Sequence, residues 1–192
     1  MLIGLPSSGV HSNGYSLVPK LVAAASLEWD APAPFAADTE LATALLTPTR
    51  IYVKSVLAAI RATGGSGPTG AVKALAHITG GGLSENIPRI MPDGVGASID
   101  LGAWAPPAVF GWLKEAGNLD DAELLRTFNC GIGLVIVASR DRAGALLQEL
   151  RSAGEAPMII GRVAPARGVV SEAKGKGAAE AVDYIGQLRF AQ

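Results

Sequence analysis

Cysteine is nearly absent from this chain: its 192 residues include one, Cys130, so no internal disulfide forms. A lone thiol fits a reducing compartment, and a cytoplasmic protein is expected. Long apolar runs are missing as well. IGLVIVA at 132–138 is among the longest, far short of the roughly 20 residues that cross a bilayer. The opening MLIGLP lacks the basic start and long apolar centre of a secretion signal. Neither sign of charge dominates: 16 Lys and Arg stand against 17 Asp and Glu, with no block of like charge. Such a surface offers nucleic acid no electrostatic footprint, and neither nucleic acid nor membrane is an expected partner. The two histidines, His11 and His77, stand far apart without an H-x-x-x-H or C-x-x-C spacing, so no metal ligand set is expected. The P-loop pattern and the dinucleotide fingerprint are also absent.

What is present is apolar substance. Hydrophobic residues make up 49% and charged residues 17%, a balance that builds a buried core and excludes disorder. Leu2 to Leu5 reads as a strand that begins without lead-in, unlike the loose first residues of most domains. Ser12 or Asn13 is positioned to cap a helix from Gly14 to Ala25, and the proline-rich residues 29–38 read as a connection. Thr47 with Pro48 predicts the start of the next helix, with Ile51, Val56, Leu57 and Ile60 on one face and Gly64 or Gly65 at its end. Residues 64–70 form a glycine-rich loop. For VKALAHIT at 72–79, periodicity leaves helix or strand open. Strands are expected at 97–100, 128–139 and 157–163, with helices at 107–117, 120–126 and 140–152. The run at 128–139 is apolar on both faces and belongs at the centre of a sheet. The expected architecture is α+β, an α/β sandwich of helices on a mixed sheet. Residues 1–164 form the domain, and 165–192 a flexible tail with a last strand at 182–190.

Two stretches invite chemistry. In SSGVHSNGYSL (7–17), backbone N–H groups near Gly9 and Gly14 and the hydroxyls of Ser7, Ser8 and Ser12 could hold an anion, with His11 and Asn13 as further donors. The plainer reading is a capped helix start. In HITGGGLSEN (77–86), three consecutive glycines demand either a close ligand or positive φ. Ser84 would then cap a helix with Glu85 and Asn86 in its first turn, making a second phosphate cradle; the plainer reading is a tight turn. Arg50 near a helix start calls for an anionic partner, or faces solvent. Cys130, within an apolar strand, reads as a small hydrophobe and not a nucleophile. Ser7 and Ser8 sit in no G-x-S-x-G elbow.

Taken in series, SSGVHSNGYSLV, LLTPTRIYVKSV, AHITGGGLSENIPRIMP and RTFNCGIGL resemble the aminoimidazole ribonucleotide synthetase family, the phosphoribosylformylglycinamidine cyclo-ligases of purine biosynthesis. The resemblance runs from about Leu2 to Val163. It implies the C-terminal half of a two-domain enzyme. The other half would bind ATP and Mg²⁺ and form most of a homodimer interface, leaving no cofactor expected in this chain alone. It further implies ring closure of formylglycinamidine ribonucleotide to aminoimidazole ribonucleotide with release of ADP and phosphate. By the same resemblance Ser12, Asn13, Arg50, Gly80, Gly81, Gly82, Glu85 and Asn86 face the substrate, and His77 or His11 moves protons. Pro19 stands where the family has arginine; in a helix's second turn it would cost a hydrogen bond. The alternative is a stand-alone module that binds a phosphorylated ligand or a partner without catalysis.

Overall fold

The computed structural model describes residues 1–166 and 181–191. Among these, the chain runs β1 (Leu2–Pro6), α1 (Val18–Ala24), β2 (Pro32–Ala33), β3 (Ala36–Glu40), α2 (Leu41–Leu45), α3 (Val53–Ala62), β4 (Val72–His77) and α4 (Gly82–Asn86). It continues through β5 (Val95–Asp100), α5 (Ala108–Ala116), α6 (Asp121–Thr127), β6 (Ile132–Ala138), α7 (Ala143–Ser152), β7 (Met158–Pro165) and β8 (Val182–Ile185). Six strands form one sheet in the order β4-β6-β1-β7-β5-β8, and β2 pairs with β3 in a small ribbon. All pairs in the large sheet are antiparallel except β5 with β8, so the sheet is mixed as expected.

Strand alternation divides the core in two. Along β6, Leu134, Ile136 and Ala138 face one layer, where α3 and α7 contribute Val56, Ala59, Leu146 and Leu150. Val135 and Val137 face the other, joined by Ile132 across the register shift between Leu5 and Pro6, with Leu21 of α1, Leu41 of α2, Leu83 of α4, Phe110 of α5 and Leu124 of α6. Every residue of β6 is buried, in keeping with its place between β4 and β1. The result is an α+β sandwich of helices on both faces of a mixed sheet.

Several local expectations need correction. The first helix begins at Val18, not Gly14, and its N-cap Leu17 makes no side-chain cap bond. Asn13 is unavailable as a cap because its amide oxygen accepts from Asn129, 2.9 Å away. Pro19 accordingly falls in the first turn, where its missing N–H costs nothing. The 29–38 connection contains the β2 strand and the start of β3. Thr47 caps no helix: its hydroxyl donates back to Ala44 O at 3.0 Å, at the end of α2. Residues 46–52 are extended or irregular, as the residue before Pro48 favours, and α3 starts six residues after Thr47. Ile51 therefore lies off the apolar face, 82% exposed.

Residues 72–77 resolve to a strand. Ser84 lies inside α4, whose N-cap is Gly81 in the left-handed region. The central strand starts at Ile132, leaving Cys130 (φ 48°) and Gly131 (φ 92°) in a turn before it and not in mid-strand. The final strand spans 182–185, shorter than 182–190. The mobile loop expected at 165–181 falls largely outside the described residues.

Candidate functional site

Sheet register brings the candidate segments to one end of the molecule. Pro6, the last residue of β1, pairs with Ile132, the first of β6, and His77, the last of β4, pairs with Leu134. The loops that follow β1 and β4 and the turn that precedes β6 therefore emerge side by side. Segment 46–52 joins them because the Tyr52 hydroxyl donates to Pro6 O at 2.9 Å. Tyr52 then stands between the two histidines, its ring centroid 6.4 Å from those of both His11 and His77. Gly133 makes this arrangement possible. A Cβ there would lie 2.0 Å from the Tyr52 hydroxyl and 2.6 Å from His11 Cε1.

The two histidines have different surroundings. His11 is 4% exposed and has φ 55°. Its Nε2 accepts from Ser8 N–H at 3.0 Å and from Arg50 N–H at 3.4 Å, so the ring is neutral with its proton on Nδ1. Nδ1 is buried, and no hydrogen-bond partner for it lies among the described residues. Burial, with the nearby His77 and Arg50 charges, holds its pKa down to about 4. Its acceptor nitrogen is committed to two backbone amides, which makes it a brace joining two loops. His77 is exposed at the end of β4 and carries its imidazole to solvent beside Tyr52.

Hydrogen bonding within the protein occupies much of the expected ligand chemistry. Ser7 Oγ donates to Asn129 Oδ1 and Ser8 Oγ donates to Pro48 O. The Asn86 amide donates to the carbonyls of Thr79, Gly80 and Gly82, while its oxygen accepts from Thr79 Oγ1 and Arg89. Asn86 thus braces the glycine loop from behind. Arg50 meets Glu155 at 2.9 Å and lies 6.0 Å from the Tyr52 ring centroid. Glu85 pairs with Arg89 across one turn, 3.5 Å apart. Ser12 is exposed and lines a cleft of about 300 Å³ with His11, Tyr15, Thr47, Pro48 and Thr49.

The three glycines divide by cause. Gly81 (φ 95°) and Gly82 (φ 54°) hold left-handed backbone, and a Cβ on Gly82 would lie 2.0 Å from Leu125 O. Gly80 has neither restriction, and the space over it is open. With five and seven residues, α4 and α1 are too short for a helix dipole to hold an anion. Any anion here would be held by loop N–H groups and side chains.

Sequence reasoning passed over three residues. Asn129 is fully buried and binds Ser7, Gly9, Asn13 and Gly131. Tyr52 is the centre of the cluster. Glu155 anchors Arg50 and accepts from Ser55 Oγ at 2.6 Å. Asn129 and Tyr52 stand within the stretches RTFNCGIGL and LLTPTRIYVKSV, where a polar residue amid apolar neighbours was the available signal. Cys130 is buried, and burial raises its pKa far above the ordinary thiol range. Among the described residues no three His, Cys, Asp or Glu side chains gather as a metal ligand set. Among the same residues, no helix is long and apolar enough to cross a membrane.

Residues 1–174 match the family described as AIR synthase related protein, C-terminal domain. The chain belongs to that family. Its fold is similar to that of thiamine-monophosphate kinase from Stenotrophomonas maltophilia K279a, with 18% identity and a TM-score of 0.55 over 98% of this chain and 50% of that one. It is also similar to hydrogenase maturation protein HypE in complex with ATP, with 22% identity and a TM-score of 0.50 over 95% of this chain and 47% of that one. At such identities the likeness is one of fold. This AIR synthase related domain spans about half the length of the solved structures it matches.

Proposed function

We propose that this AIR synthase related domain is the substrate-side half of an ATP-dependent cyclo-ligase. Its reaction would close formylglycinamidine ribonucleotide to aminoimidazole ribonucleotide in purine biosynthesis. The observation that carries the reading is the convergence of four separated stretches, those resembling the cyclo-ligases, at one sheet end around Tyr52. The intact enzyme would be a cytoplasmic homodimer whose other half holds ATP and Mg²⁺. In the proposed reaction the ATP γ-phosphoryl group passes to the formyl oxygen. The neighbouring amidine nitrogen then bonds to that carbon, the carbon–oxygen bond breaks, phosphate leaves and a ring proton is released.

Each group on this chain has a part in that scheme. Ser12, which lines the cleft, and the Gly80 N–H, which stands in open space and leaves room for close approach, bind the ribonucleotide. Arg50, fixed by Glu155, supplies positive charge beside the cleft. His77 accepts the proton lost on ring closure, because its imidazole is exposed while that of His11 is committed to bracing. Holding nucleophile and carbon together is the main catalytic contribution of such a site.

Calorimetric titration of the chain with formylglycinamidine ribonucleotide and, separately, Mg-ATP tests the reading. The ribonucleotide should bind, more weakly to His77→Ala, and Mg-ATP should not. Addition of a separately produced N-terminal half should restore ATP-dependent aminoimidazole formation. Ribonucleotide binding with no product from the combined halves would favour a binding module without catalysis.

A further inference from the structure

The family match ends at residue 174, yet residues 181–191 beyond it are built into the domain. β8 lies parallel to β5, with Tyr184 opposite Ile99. Leu101 N–H donates to Ile185 O at 2.8 Å, and Ala191 N–H donates to Pro106 O at 2.9 Å. Leu188 is buried, and the Phe190 ring lies over Gly111 with the Lys114 ammonium 5.8 Å from its centroid. From this strand the Tyr184 hydroxyl meets the Ser84 hydroxyl at 2.8 Å. Burial raises the Tyr184 pKa well above the ordinary phenol range, so the group stays a neutral hydrogen-bonding hydroxyl.

Ser84 stands two residues after Gly82 in α4, a helix of only five residues. A helix this short has no stability of its own and takes its place from what grips it. Leu83 anchors α4 in the core, and polar contacts add to that grip. Gly82 is pressed against the Leu125 and Phe128 carbonyls, Asn86 gathers the loop carbonyls, and Ser84 is held from outside the family region by Tyr184. The Ser84 hydroxyl also reaches Leu125 O at 3.5 Å, so β8, α4 and α6 meet at this one side chain.

We propose that Tyr184 is a positioning residue for the Gly80–Gly82 loop, acting through Ser84 to hold α4 and with it the loop backbone. The effect on ligand binding rests on the reading of that loop as one lip of the substrate site; the restraint on α4 does not. Loss of one neutral hydrogen bond corresponds to roughly a fivefold change in the local opening equilibrium.

The test uses the full chain carrying Tyr184→Phe, Ser84→Ala or both. Amide hydrogen exchange at Gly82, Glu85 and Ile87 is compared with exchange in β6, alongside titration with formylglycinamidine ribonucleotide. Each single variant should speed exchange at those three amides roughly fivefold and leave β6 unchanged. The double variant should be no faster than Ser84→Ala alone, because that change already removes the bond lost in Tyr184→Phe. Ribonucleotide affinity should fall only by the fraction of the chain in which the loop has opened, a much smaller factor while the loop stays mostly closed. Unchanged exchange in α4, additive effects, or acceleration shared with β6 would each overturn the proposal. If the unaltered chain takes up no ribonucleotide, the reading of the cleft fails by itself, and the exchange pattern alone decides the role of Tyr184.

Discussion

Asn129 donates its side-chain amide to Asn13 Oδ1 over 2.9 Å, joining two loops whose residues lie 116 apart in the chain. The same side chain also binds Gly9 O, Ser7 Oγ and Gly131 N–H, all at 3.0 Å or less. Removing it strands several buried polar groups at once, and each unsatisfied group is costly. Asn129→Ala should lower stability by about 2–4 kcal/mol. Urea denaturation measures this; a loss under about 1 kcal/mol would show that water replaces the amide at little cost.

His11 predicts a pH dependence. Its folded pKa of about 4 lies below the ordinary value of 6.5, so between those values the unfolded chain binds the proton and the folded one does not. The stability is complete above about pH 6.5 and is lost as pH falls through about 4. His11→Gln keeps an acceptor for Ser8 and Arg50 but cannot titrate. The unfolding midpoint of this variant should fall less between pH 7 and 4.5 than that of the unaltered chain. Equal falls would place the titration elsewhere.

Gly80 and Gly82 should respond differently to alanine. At Gly82 the new Cβ would meet Leu125 O at 2.0 Å in a left-handed backbone, and a loss of about 2–4 kcal/mol is expected. At Gly80 the space is open, and stability should stay within about 0.5 kcal/mol. Thermal melts of the two variants provide the comparison. Ribonucleotide affinity lost in Gly80→Ala at unchanged stability would mark direct ligand approach there.

Gly133→Ala should push Tyr52 from its place, since the added carbon falls 2.0 Å from the hydroxyl. Overpacking of this kind costs about 1–3 kcal/mol. Combined with Tyr52→Phe, which removes the nearest atom, the cost should be smaller than the sum of the two single changes. Additive costs would mean that the strain lies elsewhere, for example against His11.

Much of the architecture was legible because it rests on local regularities. The apolar run at 132–138 and the amphipathic pattern read at 140–152 each reflect neighbours in the chain, though α7 begins only at Ala143 and Asp120, read as helical, is the cap of α6. Helix starts were read less well where a distant partner intervened. Asn13 has the chemistry of a cap, but Asn129 takes its side chain; Ser84 has it too, but Tyr184 and the Leu125 carbonyl take the hydroxyl. The glycine triplet signalled special backbone without saying which of its members needed it.

The sequence by itself determined the layers, because hydrophobic period is a property of neighbouring residues, and it marked the four stretches that carry the family resemblance. Which side chains remain available for chemistry was decided only by tertiary structure. His11 and His77 carry the same imidazole, yet one is buried against two backbone amides and the other stands in solvent. Burial and hydrogen-bond partners set a group's charge state and reach, and both come from residues far away in the chain.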